Sequence, residues 1–227
     1  MADQDRKYDA RGDLIIPVKN IEELKFPDNK FGCSFLLCGS TRSGKTTLLN
    51  FIYHTWFKKH ITALMSNSLN SDAYDYVKRY AILSDLYHPE LLKEMYGINH
   101  STQNHYEFCI ILDDLTNVKN DKEYLRLLTI YRNSRISCIV SAQGISMFNK
   151  TARGNINYVF LGRLNSDAEV EKVVKEYLIS YFPKSMNLAE KITHYRHLTD
   201  NHWWFMIDQV NGIIFRTKLR PEQLMTE

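Results

Sequence analysis

This sequence predicts an α/β fold in which a mostly parallel central sheet, flanked by helices, ends in a C-terminal β-hairpin. Three observations lead there. Short apolar runs that do not alternate recur along the chain, the pattern of strands covered on both faces. Segments with helical spacing separate those runs. Near the end, Asn211-Gly212 stands between Trp203-Trp204-Phe205-Met206-Ile207 and Ile213-Ile214-Phe215, a hairpin signal.

The elements follow in order. Residues 1–30 are polar, hold Pro17 and Pro27, and read as an N-terminal tail with a short strand near Leu14-Ile15-Ile16. Residues 31–227 read as one domain, since a chain of 227 residues suits a single α/β unit with a sizeable core. Phe35-Leu36-Leu37-Cys38 is the first central strand. A helix over 45–58 follows, with Leu48, Leu49, Ile52, Tyr53 and Trp56 on one stripe. Ile61-Thr62-Ala63-Leu64-Met65 is a second strand, and residues 71–104 read as helical, with Pro89 opening one of the helices. Phe108-Cys109-Ile110-Ile111-Leu112 is the clearest strand and ends in Asp113-Asp114. A helix over 121–132 leads to Ile136-Ser137-Cys138-Ile139-Val140, which ends at Ser141-Ala142-Gln143. Tyr158-Val159-Phe160-Leu161-Gly162 precedes a long helix opening at Ser166-Asp167, where Ser166 and Glu169 have the spacing of a capping box.

Composition narrows the function classes. With 44% hydrophobic and 24% charged residues the chain is ordinary for a globular protein, and a net charge of +3 announces no nucleic-acid partner by bulk field. Cys33, Cys38, Cys109 and Cys138 match no zinc spacing; they read as free thiols packed like small hydrophobes, suited to a reducing, intracellular setting. The N-terminus is too polar for a signal peptide, and no apolar run approaches the ~20 residues of a membrane span, so a soluble protein is expected. His194 and His197 have no acidic or cysteine partner at ligand spacing, and read as packing or surface residues. The scattered tyrosines suggest packing and interfaces, and Trp203 and Trp204 a sheet edge or subunit contact.

The chemistry begins at Gly39-Ser40-Thr41-Arg42-Ser43-Gly44-Lys45-Thr46, which satisfies G-x-x-x-x-G-K-[ST] with a strand before it and a helix after it. The two glycines let successive backbone N–H groups face phosphate oxygens, and the helix N-terminus adds its partial positive charge. Lys45 is placed for the β- and γ-phosphates of ATP or another nucleoside triphosphate, Thr46 for magnesium, and Thr47 for the α-phosphate. Asp113, closing an apolar strand, is placed to hold Mg2+ through water; Asp114 is placed to polarise the attacking water. Gln143, at the tip of the next strand, can orient that water and report the γ-phosphate. A strand carrying such a glutamine marks the additional-strand, RecA-like P-loop NTPases rather than kinases and small GTPases.

Taken in order, the P-loop, Asp113-Asp114, Tyr131-Arg132-Asn133 and Gln143 resemble the poxvirus-type genome-packaging ATPases of the FtsK–HerA superfamily, over residues 31–178. Of that family's Gly-Arg-His-like middle segment, this chain keeps the arginine. The resemblance implies a homo-oligomeric ring, a pentamer or hexamer, that hydrolyses ATP to move double-stranded DNA into a viral capsid. A capsid or portal component would be its partner, and the host cytoplasm at the assembly site, or the virion, its location. It also implies an arginine acting on the neighbouring subunit's site: Arg132 by motif position, with Arg135 and Arg153 as alternatives. DNA contact would fall on loops, with Lys150 and Arg153 in one and Lys78 and Arg79 in another, summed around a ring. Two readings from other classes stand beside it. A nucleoside kinase would carry an arginine-rich lid, which the sequence does not show. A GTP-dependent switch would carry Asn-Lys-x-Asp, which Asn120-Asp121-Lys122 does not supply.

Overall fold

The computed structural model of the chain describes residues 16–23, 31–115 and 118–220. Its strands are β1 (Ser34–Cys38), β2 (Ile61–Ser66), β3 (Ala81–Ser84), β4 (Phe108–Asp113), β5 (Ile136–Ala142), β6 (Tyr158–Leu161), β7 (Trp204–Asp208) and β8 (Ile213–Thr217). They form one eight-stranded sheet in the order β3-β2-β4-β5-β1-β6-β7-β8. The first six run parallel; β7 and β8 are antiparallel additions at one edge. Helices α1 (Lys45–Ile52), α2 (Asp75–Lys78), α3 (Pro89–Ser101), α4 (Lys122–Thr129), α5 (Lys150–Arg153), α6 (Asp167–Val173) and α7 (Leu188–Leu198) connect them. This is the predicted α/β architecture with its terminal hairpin.

Parallel strands need both faces covered, and two apolar layers do so. On one face Phe35, Leu37, Cys109, Ile111 and Ile139 pack against Leu48, Leu49 and Ile52 of α1. On the other, Leu36, Ile110, Cys138 and Val140 meet Leu92 of α3, Leu127 of α4 and Val170 of α6. Every residue of β1, β4 and β5 is buried, which is why these runs are apolar without alternation. The four cysteines are free and buried among them; burial pushes the Cys33 thiol up to about 12, so it stays neutral and behaves as a small apolar group.

Four local expectations change. Residues 71–104 are not continuously helical, because Ala81–Ser84 is a strand beside β2. Four residues carry too little period to reveal a strand, and Ile82 and Leu83 are 54% and 43% exposed, so only the β2 ladder defines it. The helix over 121–132 is α4 capped by Asp121, followed by a 3₁₀ turn at Tyr131–Ser134. The Ser166–Glu169 capping box does not form: Ser166 makes no side-chain cap, and the Glu169 carboxylate that would close the box accepts instead from the Ser146 N–H and hydroxyl. The reciprocal box sits instead at Asn187 and Glu190, opening α7. Finally, Asn149–Gly154 is not an open basic loop. Asn149 caps α5, and Arg153 is tied to Glu176 at 2.8 Å and to the Phe148 carbonyl at 2.7 Å.

Of the short strand expected near residues 14–16, Leu14 and Ile15 lie outside the described residues. The described segment 16–23 lies along the sheet edge: Val18 bridges Arg216 of β8, and Ile21 is fully buried. Among the described residues no helix is long and apolar enough to cross a membrane.

The formed cap and the unformed one give a stability test. Asn187→Ala should cost about 1 kcal/mol in urea unfolding, and Ser166→Ala less than about 0.5 kcal/mol, because only the first removes a formed cap.

Candidate active site

In a parallel sheet all strands point their C-terminal ends the same way, and ligands bind off those ends. Here the register brings three of them level: Cys38 pairs with Ala142, and Asp113 with Ser141. The ladder continues past the strands. Gly39 N–H donates to the Ala142 carbonyl at 3.1 Å, Asp114 N–H to the Ser141 carbonyl at 3.3 Å, and Gly162 N–H to the Cys38 carbonyl at 2.8 Å. The P-loop, the Asp113-Asp114 corner and Gln143 are therefore anchored to one another by backbone. Strand β5 lies between β1 and β4, so Gln143 emerges between the loop and the carboxylates, as the sequence suggested. The exposed Gln143 side chain accepts a bond from the Thr41 hydroxyl at 3.5 Å.

Both P-loop glycines have a physical reason. A side chain on Gly39 would place its Cβ 2.5 Å from the Ser43 oxygen, and Gly44 holds φ +92 as the N-cap of α1. The Lys45 side chain is 6% exposed; its ammonium donates to the Gly39 carbonyl at 2.9 Å and lies 3.8 Å from the Asp114 carboxylate. Thr46 and Thr47 follow on the first turn of α1, half-buried and exposed respectively. The Ser40 N–H donates to the Arg163 carbonyl at 2.8 Å, and the ring of Trp204, 2% exposed, lies beneath Gly39. The His202 ring Nδ1 is 3.2 Å from the Ser43 carbonyl. The sequence suggests a sheet edge or subunit contact for Trp204 and gives no sign of His202; supports drawn from sequence-distant loops carry no local signal.

The two carboxylates have different surroundings. Asp113 is 1% exposed, and one carboxylate oxygen accepts from the Tyr74 hydroxyl and the other from the Ser141 hydroxyl. Burial lifts its carboxyl from the usual 3.8 to about 6, with Asp114 adding to the rise while the Tyr74 bond and Lys45 oppose it. Tyr74 was not anticipated, and its own phenol is pushed up by burial and by the Asp113 charge, so it remains a donor. Asp114 stands at φ 48, a left-handed turn that Asp tolerates; this swings its side chain away from the strand toward Lys45. One buried oxygen of Asp114 and the Ser43 hydroxyl have no hydrogen-bond partner. Buried polar atoms that face a phosphate loop without partners are acceptor and donor capacity for a ligand.

The donor set fits magnesium. It offers oxygens from Thr46 and Asp113 and no grouping of three or more His, Cys, Asp or Glu among the described residues. Mg2+ is commonly held this way, by one or two carboxylates together with nucleotide phosphates.

The arginines lie elsewhere. Arg132 precedes β5, at the opposite end of the sheet from the P-loop, and donates to the Asn155 carbonyl at 2.9 Å. Arg135 pairs with Glu107 at that same end. None of Arg132, Arg135 and Arg153 joins the phosphate loop of its own chain.

The Poxvirus A32 protein family model matches residues 23–207. The chain belongs to that family. It is a P-loop ATPase. No curated protein matches it significantly. Among solved structures, it is similar to the genome-packaging NTPase B204 of Sulfolobus turreted icosahedral virus 2 in complex with AMPPCP, at TM-score 0.60 and 13% identity over 86% of this chain and 100% of that one. It is also similar to the pCW3 conjugation coupling protein TcpA bound to ATPgS, at TM-score 0.62 and 12% identity, covering 87% and 63%. EssC (ATPases 2 and 3) of Geobacillus thermodenitrificans matches at TM-score 0.58 and 12% identity, covering 89% and 42%. At such identities the likeness is one of fold, and it agrees with the RecA-like P-loop architecture.

Two predictions follow from this geometry. Lys45→Ala should weaken ATP binding about ten- to a hundredfold in a calorimetric titration, the loss of a charge-assisted contact. For Asp113 the folded-state value of about 6 exceeds the ordinary 3.8, so the folded protein binds this proton more tightly than the unfolded chain. Its ionised form therefore destabilises the fold above about pH 6, and that penalty fades as the pH falls toward the ordinary value. Asp113→Asn should accordingly raise the melting temperature of the nucleotide-free protein near neutral pH, with the gain disappearing in acid.

Proposed function

We propose that this ATPase is the motor subunit that drives double-stranded DNA into a viral capsid. The observation that carries the reading is the convergence of Lys45, Asp114 and Gln143 at one sheet end, with β5 interposed, in a chain of the A32 family. In this reading the backbone of Gly39 to Thr46 cradles the phosphates, with Ser40, Thr41, Arg42 and Ser43 forming the loop and Thr47 reaching the α-phosphate. Thr46 and, through water, Asp113 hold magnesium, which supplies charge neutralisation on the phosphoryl oxygens. Asp114 polarises the attacking water, and Gln143 orients it and registers the γ-phosphate. Lys45 moves from its Asp114 contact to the β- and γ-phosphates when nucleotide binds, which frees Asp114 for that task.

We also infer a ring, a pentamer or hexamer, in which an arginine completes the neighbour's site. An arginine acting in trans must stand away from its own phosphate loop. Arg132 satisfies that, at the far end of β5, about 20 Å from Gln143 for a strand of this length. Arg135 and Arg153 are less suited, being committed to Glu107 and Glu176. For DNA contact Lys150 and Arg79 are exposed, whereas Lys78 is held by the Ser71 carbonyl and Asp75. Residues 31–227 act as one ATPase domain behind the N-terminal segment, with a capsid or portal component as partner, at the viral assembly site in the host cytoplasm or in the virion.

The test is ATP hydrolysis with and without double-stranded DNA, alongside the oligomeric state. Stimulation by DNA in a ring-sized species is expected, while DNA-independent turnover by a monomer would overturn the motor reading. Asp114→Asn should still bind ATP but lose about 10²- to 10⁴-fold in turnover. Mixing it with Arg132→Ala should restore activity at hybrid interfaces if the arginine acts in trans; no recovery would assign that role elsewhere.

A further inference from the structure

Asp113 owes its setting to a residue outside every nucleotide motif of the chain. Tyr74 lies in the 3₁₀ turn Asp72–Tyr74 between β2 and β3; it is 3% exposed, and its hydroxyl bonds one oxygen of the Asp113 carboxylate. A phenol has a single proton, so once Tyr74 donates to Asp113 its oxygen accepts from the Ser66 hydroxyl, 3.1 Å away. Ser66 is the last residue of β2 and pairs in register with Asp113. The turn itself is held against the phosphate-loop helix. Asn50 of α1 donates to the Ala73 carbonyl at 2.5 Å, and the Ser71 side chain accepts the Ala73 N–H at 3.2 Å. Tyr76, two residues on, packs edge-on to Tyr53 and His54 at the end of the same helix.

We propose that Tyr74 is the positioning residue for the magnesium-side carboxylate, fixing the Asp113 rotamer together with Ser141. The physical argument is one of acceptor sites. An ionised carboxylate offers two oxygens with about four lone-pair positions. The Tyr74 and Ser141 hydroxyls occupy one position on each oxygen and fix the plane of the group. About two positions are left for a metal-bound water. With 1% of its surface exposed, Asp113 has little bulk water to replace a lost donor. Without the Tyr74 bond the carboxylate turns about its side-chain bond, and its distance to metal-bound water is no longer set. The phenol therefore acts on the metal through Asp113, as outer partners of metal ligands do elsewhere.

The inference rests on Asp113 serving magnesium, and its test separates the two claims. The readouts are the binding of Mn2+ in the presence of ATPγS, followed by electron paramagnetic resonance, and metal-free binding of ATPγS by calorimetry. Tyr74→Phe keeps the ring and removes the donor. It should weaken Mn2+ binding about tenfold and leave metal-free ATPγS affinity unchanged. Ser66→Ala, which removes the donor to the Tyr74 oxygen, should shift Mn2+ binding in the same direction by less, and it stands as the test if Tyr74→Phe is unstable. Wild-type Mn2+ affinity in Tyr74→Phe, with Asp113→Asn defective, would overturn the positioning role alone. Wild-type Mn2+ affinity in Asp113→Asn would overturn the assignment of Asp113 itself. A fall in metal-free nucleotide affinity in Tyr74→Phe would also count against the proposal, since it would make Tyr74 a general support of the loop.

Discussion

The parallel hydrogen-bond ladder through β4, β5 and β1 is the constraint on which the site depends. Adjacent parallel strands stand about 4.8 Å apart, so neighbouring strand ends deliver their next residues into one small volume. The ladder does not stop where the strands do: the N–H groups of Gly39 and Asp114 still bond to β5 carbonyls. The loops that carry the chemistry are extensions of the sheet, with backbone freedom already lost to the fold. Interposing β5 adds a residue, Gln143, between the phosphate loop and the carboxylates. A sheet with β4 directly beside β1 would have no strand tip at that place.

Within this frame the charges are arranged for function at some cost in stability. Asp113 is buried with hydroxyl partners rather than a formal cation, and its proton is held more tightly for that reason. Lys45, itself buried, leans on loop carbonyls and on Asp114. Buried carboxylates without full ionic compensation, a left-handed Asp114 and a buried acceptor without a partner are features that packing alone would remove. They cluster at the phosphate loop, where a bound polyanion would supply the missing interactions. The surrounding aromatic supports, Trp204 under Gly39 and Tyr74 against Asp113, keep this arrangement from relaxing.

Much of this is legible in the sequence. The strands β1, β4 and β5 announced themselves because burial on both faces demands unbroken apolar runs, and each run ended at a residue of the site. The P-loop was legible because its chemistry is local: eight consecutive positions must carry the glycines, the lysine and the hydroxyl. The edge strand β3 was not, since four half-exposed residues have no period of their own. The Ser166–Glu169 box failed because a tertiary partner, Ser146, outbid the local cap for the same carboxylate.

The sequence by itself determined the fold class, the phosphate loop and the identity of the acidic and amide residues around it, because each of these is written in neighbouring positions. Only the tertiary structure decided how those residues are held. Tyr74, Ser141, Trp204 and His202 reach the site across tens of residues, and Arg153 is drawn to Glu176 rather than left as a free surface cation. Which side chains meet depends on strand order and burial, and those are properties of the packed whole that no short stretch of sequence contains.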